Sequence, residues 1–326
     1  MLPAELARLA AAQGGPFTLA QARKHGLSPA VPRARVAHGV LVHGPVWDEA
    51  APDPRHVLVL KAAARVLAVR GGRVSHRTAA VVHGLPLLGS LPVRPDVTRE
   101  CRFTGDASSM PGVRVAALPD EDCTNVDGVP VVSLARTVVD VARTSTWREA
   151  VVVADAALRQ GLDPSELAGT AGRCARWPGI AQARRVLAFA DGRAETPLES
   201  ITRVAYALEG LPPPETQVVI CAPDGSFLAM VDFLWRAQRV VGEADGMGKY
   251  DAPGTLRLEK LREHGLHQVG FEVVRNLWGE AWKPVERRQL AERVRAGFGY
   301  SLARPVVPGV RFRTPTLQEL RRSRAA

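Results

Sequence analysis

The run Phe227-Leu228-Ala229-Met230-Val231-Asp232-Phe233-Leu234-Trp235 is apolar but for one acid, Asp232. A carboxylate flanked so closely by large apolar groups is costly to bury without a partner or a metal. A second apolar run, Val240-Val241, ends on Glu243 and Asp245, which repeat at strand spacing and so share a face. Gln217 to Ala222 predicts a strand, Asp224-Gly225 a turn, and Phe227 to Leu234 an antiparallel return. Arg239 to Asp245 predicts the third strand. A helix through Leu256, Leu258 and Leu261 to His264, stopped by Gly265, leads to a last strand, Phe271 to Arg275. Upstream, Thr196 is an N-cap with Pro197 at the first helical position, and Leu198, Ile201, Ala205 and Leu208 form an apolar face ending at Gly210.

The acids admit two readings. In one, Glu199 lies beside the buried stripe of its helix and looks across at the strand-end acids Asp232, Glu243 and Asp245, with Gln217 in reach. Such oxygen donors suit a hard divalent cation, Mg2+ or Mn2+. That ion would offset the charge of a scissile phosphodiester and bind the attacking water. In the other, Glu199 and Arg203 pair on a helix surface, and Asp245-Gly246 is only a turn. The isolation of Asp232 favours the shared site.

Across its 326 residues the chain carries a net charge of +10 and is 46% hydrophobic. That balance points to a polyanionic partner, double-stranded DNA first and an anionic membrane second. Arginine supplies most of the charge; phosphate binding and genomic codon bias explain that excess equally well. No apolar run reaches membrane-spanning length and the N-terminus has no secretory pattern, so a cytoplasmic, nucleoid-associated protein is expected. Cys101, Cys123, Cys174 and Cys221 are widely spaced and read as free thiols.

The expected class is a multidomain α+β protein. Residues 1–54 predict three short helices and a hairpin over Gly39–Gly44, a winged helix-turn-helix with Arg33 and Arg35 on the recognition helix and His43 near the wing. Residues 55–191 predict a mixed α/β middle region. Ser75 caps a helix from His76 to His83, Asp127-Gly128 is a hairpin turn, and Ser133 caps Leu134 to Arg143, with Leu134, Val138 and Val141 spaced for burial. His76, Arg77 and His83 read there as solvated or capping groups. A scaffold, a dimerisation surface and a protein-binding surface all remain open for this block. Residues 192–283 form the acid-bearing α/β domain, and 284–326 a basic tail that tracks a phosphate backbone or is a solvated helix with a frayed end.

From Glu195 to Trp282 the chain resembles the PD-(D/E)XK nuclease superfamily, in its Vsr-like branch. The resemblance rests on Pro197-Leu198-Glu199-Ser200, Gln217-Val218-Val219, Val231-Asp232-Phe233 and Gly242-Glu243-Ala244-Asp245-Gly246, followed by Lys249-Tyr250-Asp251 and Val273-Val274-Arg275. It implies a restriction-endonuclease-like domain in which Asp232 and Glu243 bind the metal and Glu199 supports them. Asp245 stands where the superfamily has a lysine; Lys249 is the substitute within reach. The rest resembles the AbiEi family of type IV antitoxins, through the winged-helix block, Ser75-His76-Arg77-Thr78-Ala79-Ala80, His83-Gly84-Leu85, Gly128-Val129-Pro130-Val131-Val132-Ser133 and Arg136-Thr137-Val138-Val139-Asp140. That resemblance implies a repressor of its own operon that counters a nucleotidyltransferase toxin. The leading expectation is therefore a DNA-binding antitoxin-type transcriptional regulator with a nuclease-like C-terminal domain. The alternative is a metal-dependent DNA endonuclease targeted by its winged helix; a protein-binding scaffold is the third. The sequence leaves the oligomeric state open.

Overall fold

The computed structural model describes residues 54–69, 71–100, 112–245 and 255–325, together with Glu5, Arg8, Lys24 and three short N-terminal strands. The chain divides into two compact units, residues 1–153 with 162–188, and residues 154–161 with 189–326.

In the first unit, β1 (Phe17–Thr18), β2 (Val36–Ala37) and β3 (Val40–Leu41) form an antiparallel sheet in the order β1-β3-β2. The β2–β3 hairpin begins ahead of the expected Gly39–Gly44. Arg33, Arg35 and His43, the expected DNA contacts, lie outside the described residues.

A second sheet joins β4 (Arg73–Val74), β5 (Val97–Arg99), β6 (Val113–Val115), β7 (Cys123–Val126) and β8 (Val129–Val132) in the order β6-β5-β4-β8-β7. The β4–β8 and β5–β6 pairs are parallel and the others antiparallel. Asp127 and Gly128 turn the β7–β8 hairpin with positive φ at both residues, the geometry that matches strand twist. Helix α1 (Pro54–Ala68) lays Ala62, Ala63 and Val66 on Val74, Val97 and Val131. Then follow α2 (His76–Val82), α3 (Leu134–Thr144), α4 (Trp147–Gln160), α5 (Pro164–Arg173) and α6 (Ile180–Phe189), of which α4 from Ala154 on and the last residue of α6 belong to the second unit. Ser133 caps α3 by accepting the Arg136 N–H at 3.2 Å.

Three expectations for this unit are corrected. The Ser75 side chain does not cap α2; its Oγ accepts the Thr98 hydroxyl at 2.8 Å and meets His76 Nδ1 at 2.9 Å. His76 is not solvated but 3% exposed. His83 donates from Nε2 to the Val132 carbonyl at 2.8 Å, and Arg77 donates from Nε to Glu149 at 2.9 Å, so both tie the fold together.

In the second unit, α7 (Pro197–Leu208) precedes β9 (Glu215–Cys221), β10 (Phe227–Trp235) and β11 (Val240–Ala244), an antiparallel meander. Helix α8 (Thr255–Gln268) carries the chain back to β12 (Glu272–Asn276), which lies parallel to β11. A parallel neighbour requires such a crossover. The expected stop at Gly265 is overturned. Gly265 sits inside α8, where an added Cβ would stand 3.7 Å from the Leu228 side chain; the chain turns instead at Gly270, with φ +90°.

Beyond come α9 (Trp278–Trp282), α10 (Pro284–Leu302), β13 (Arg311–Arg313) and α11 (Leu317–Ala325). The sheet runs β12-β11-β10-β9-β13. Residues expected as a basic tail thus enter the unit: Leu290, Ala291 and Val294 of α10 are buried, and Phe312 pairs in register with Ile220. One core gathers Val218, Ile220, Ala229, Val231, Val241 and Phe271 with Leu266 of α8. Elsewhere the Tyr206 ring meets Phe233 at 5.4 Å and Trp235 at 4.9 Å, edge to face.

The fold is therefore mixed α/β, with two mixed five-stranded sheets. Among the described residues no helix is long and apolar enough to cross a membrane. Cys123, Cys174 and Cys221 are free thiols, as expected.

Candidate functional site

The site is built on α7, β9, β10 and β11. Thr196 caps α7 by accepting the Glu199 N–H at 3.2 Å. Glu199 folds back, accepting the Thr196 hydroxyl at 3.0 Å and the Glu195 N–H at 2.8 Å. That return contact fixes its carboxylate near the start of β9. There the Gln217 amide donates to Glu199 at 2.9 Å and to Asp232 at 3.2 Å. Gln217 stands at φ +51°, in the left-handed region that a side chain normally avoids. Such a conformation persists only where its surroundings hold it, and it often marks a functional position.

Asp232 lies opposite Gln217, between the register pairs Thr216↔Phe233 and Val218↔Val231. The β10–β11 ladder ends at Phe233↔Gly242. Beyond that pair the Ala244 N–H donates to Asp232 Oδ2 at 2.8 Å. On β11, Glu243 accepts from Arg262 of α8 at 2.9 Å. Asp245 accepts from Arg275 of β12 at 2.8 Å, and Arg275 also donates to Glu263 at 2.9 Å.

Burial raises the Glu199 carboxyl well above the ordinary range, and the nearby Asp232 charge raises it further. Glu243 is pushed up to about 8, first by burial and then by Asp232, with Arg262 opposing. Asp232 is thus the acid whose charge both glutamates feel. Glu199, Gln217, Asp232 and Glu243 are brought together; Asp245 is turned to Arg275, and Lys249 lies outside the described residues. The surface pair Glu199–Arg203 does not form. Arg203 instead donates to the buried Asp155 at 2.8 Å, a partner far upstream that residue spacing could not supply.

The donor set suits a divalent cation. Asp232 and Glu243 are hard carboxylates whose mutual repulsion an ion would relieve. Among the described residues, though, no three acidic, histidine or cysteine side chains already stand as a metal-ligand group.

The raised Glu243 carboxyl has a consequence for stability. From about pH 4.5, where the unfolded carboxyl titrates, to about 8, the folded chain keeps a proton that the unfolded chain releases. Stability contributed by this group is therefore lost as pH rises through that window. Glu243→Gln should remove the slope and gain up to about 5 kcal/mol over the native chain at the alkaline end. Hydrogen exchange of the peptide spanning 240–244 across the window reads this within its own unit, and a pH-independent difference between the two chains would contradict it.

No protein-family model and no solved structure matches the chain. Two Mycobacterium tuberculosis proteins, from strains CDC 1551 and ATCC 25618, are each 34% identical over 150 residues, and both are described as uncharacterized. The match covers 46% of this chain and 55% of each relative, so the chain spans about half the length of the curated relatives it matches.

Proposed function

We propose that the second unit is a metal-dependent DNA phosphodiesterase of the PD-(D/E)XK type, within a chain that binds DNA. One observation carries this reading: Asp232 stands where β10 and β11 stop pairing, with Glu243 and the Glu199–Gln217 pair within its electrostatic reach. Asp232 and Glu243 would hold a Mg2+ or Mn2+ ion. When bound, the ion offsets phosphate charge and lowers the pKa of an attacking water. The chain's own residues do the rest. Glu199 fixes the Gln217 amide, that amide orients Asp232, and Arg262 and Arg275 set positive charge beside the acids, where phosphates approach. Supercoiled plasmid incubated with the full chain should be nicked or linearised with Mg2+ or Mn2+ and left intact in EDTA. Intact plasmid with both metals would exclude the reading.

A second reading, the antitoxin-type transcriptional regulator resembling AbiEi, has its own support. Asp245 fills the usual lysine position and is held by Arg275, while Glu243 holds its proton at neutral pH. Both features weaken catalysis and suit an inert nuclease-like unit. On this reading the winged-helix block binds the protein's own promoter and a cognate nucleotidyltransferase toxin is the partner. Gel shifts on that promoter should show salt-sensitive binding weakened by Arg33→Ala or Arg35→Ala. Absence of specific binding at low salt would rule it out.

A further inference from the structure

The first unit contains a cavity of about 530 Å³, remote in sequence from the acids of the second. Its walls include His76, Thr98, Arg114, Arg136, Arg143 and Trp177. The volume is in the range of small-molecule pockets. Among its described lining residues there is no carboxylate. The acids that balance its arginines stand behind the wall. Arg136 donates through Nε to Asp140 at 3.0 Å and through Nη1 to Asp122 at 3.0 Å, and Arg143 donates through Nη2 to Asp140 at 2.9 Å. Arg136 and Arg143 also pack on the Trp177 ring, at 4.3 and 4.9 Å from its centre, which fixes both guanidinium groups.

Three residues that line the cavity each carry a buried nitrogen without a hydrogen-bond partner: His76 Nε2, Arg136 Nη2 and Arg143 Nε. His76 is 3% exposed and Arg136 1%. Such orphaned groups carry a desolvation cost that a ligand can relieve. The tautomer of His76 follows from its neighbours. Thr98 donates its hydroxyl to Ser75 Oγ, whose own proton can then go to His76 Nδ1. In that tautomer Nε2 bears the ring proton and acts as a donor. Burial, reinforced by Arg114, Arg143 and Arg136, keeps the ring neutral at physiological pH despite Asp140. His76 also holds a left-handed backbone, φ +54°, which a histidine adopts only when its surroundings impose it.

We propose that this cavity is a binding site for a small oxyanion, the phosphate or carboxylate group of a metabolite-sized ligand, which accepts from His76 Nε2, Arg136 Nη2 and Arg143 Nε. All three wall groups are donors, so the ligand must bring acceptor oxygens. Two of the donors are fixed cations, so an anionic group is selected over a neutral carbonyl. The inference is independent of the nuclease reading, which concerns other residues in the other unit.

Calorimetric titration of the full chain in EDTA, at constant ionic strength, tests it with inorganic phosphate and with benzoate as probes. Saturable binding of one molecule of either probe per chain is expected. Phosphate alone binding assigns the site to phosphorylated ligands, and benzoate alone to carboxylates. His76→Asn keeps a residue that tolerates the left-handed backbone, but its shorter amide does not reach the Nε2 position; it should weaken binding about tenfold or more, as loss of one hydrogen bond to a charged group does. Should that variant fail to fold, Arg114→Ala, at an exposed wall position, should weaken binding through charge alone. Arg184→Ala, outside the cavity, should leave affinity unchanged. Binding of neither probe, or binding unchanged in the cavity variants, overturns the proposal.

Discussion

Asp140→Ala should destabilise the first unit by about 3–5 kcal/mol, the usual result of removing one partner from a buried ion pair. Asp140 is wholly buried and accepts from both Arg136 and Arg143, and Arg136 is 1% exposed. Truncation leaves a buried guanidinium with only Asp122 to balance it, and Asp122 is already engaged by Arg173. The exposed pair Arg236–Glu215 gives the contrast: Glu215→Ala should cost less than about 1 kcal/mol, because water screens both charges. Hydrogen exchange of the peptide spanning 134–144 measures the first unit by itself, which matters because a two-unit chain has no single unfolding free energy. A loss below about 1 kcal/mol for Asp140→Ala would show that Arg136 finds water or another partner and is not held by this network.

That network was hidden from the sequence for a geometrical reason. Leu134, Val138 and Val141 mark one stripe of α3, and Arg136, Asp140 and Arg143 repeat the same spacing two residues on. Two residues are about 200° around a helix, so the charged set reads as the solvent face. The structure buries that face as well, because Asp122, Trp177 and α5 cover it, and no local pattern announces them. His76 was misread for the same reason, since its burial depends on Thr98, Arg136 and Arg143 from other elements.

The second unit was more legible. Its strands are short apolar runs, Asp224-Gly225 lies between two of them, and a helical segment precedes the last, so the order of elements follows from sequence. Asp232 was found because an acid inside an apolar run is physically anomalous. Gly265 misled because a glycine inside a helix and a glycine beyond its end look alike; only the approach to Leu228 separates them. β13 went unseen because Arg311 and Arg313 flank Phe312, a pattern that suggests charge rather than an edge strand beside β9. On an edge, charged side chains also guard against pairing with another chain.

On the nuclease reading, Asp232→Asn should reduce metal-dependent cleavage roughly 10²–10³-fold, and on either reading it should make the second unit more stable above neutral pH. The two effects have one cause. The Asp232 charge raises both the Glu199 and the Glu243 carboxyl. Removing it lets both glutamates ionise with less repulsion, so the folded state gains in the alkaline range, where the native chain is strained most. Asparagine keeps an oxygen for the Ala244 N–H and a similar shape, so the strand end should persist. Trading stability for a cluster of like charges is the pattern expected of a site that awaits a cation. Cleavage assays beside hydrogen exchange of the second unit's strand peptides at alkaline pH therefore separate three cases. Lost cleavage with gained stability supports a metal-binding role. Lost cleavage with lost stability makes Asp232 a structural acid. Stability gained by a chain that never cleaved DNA in either form leaves the regulator reading.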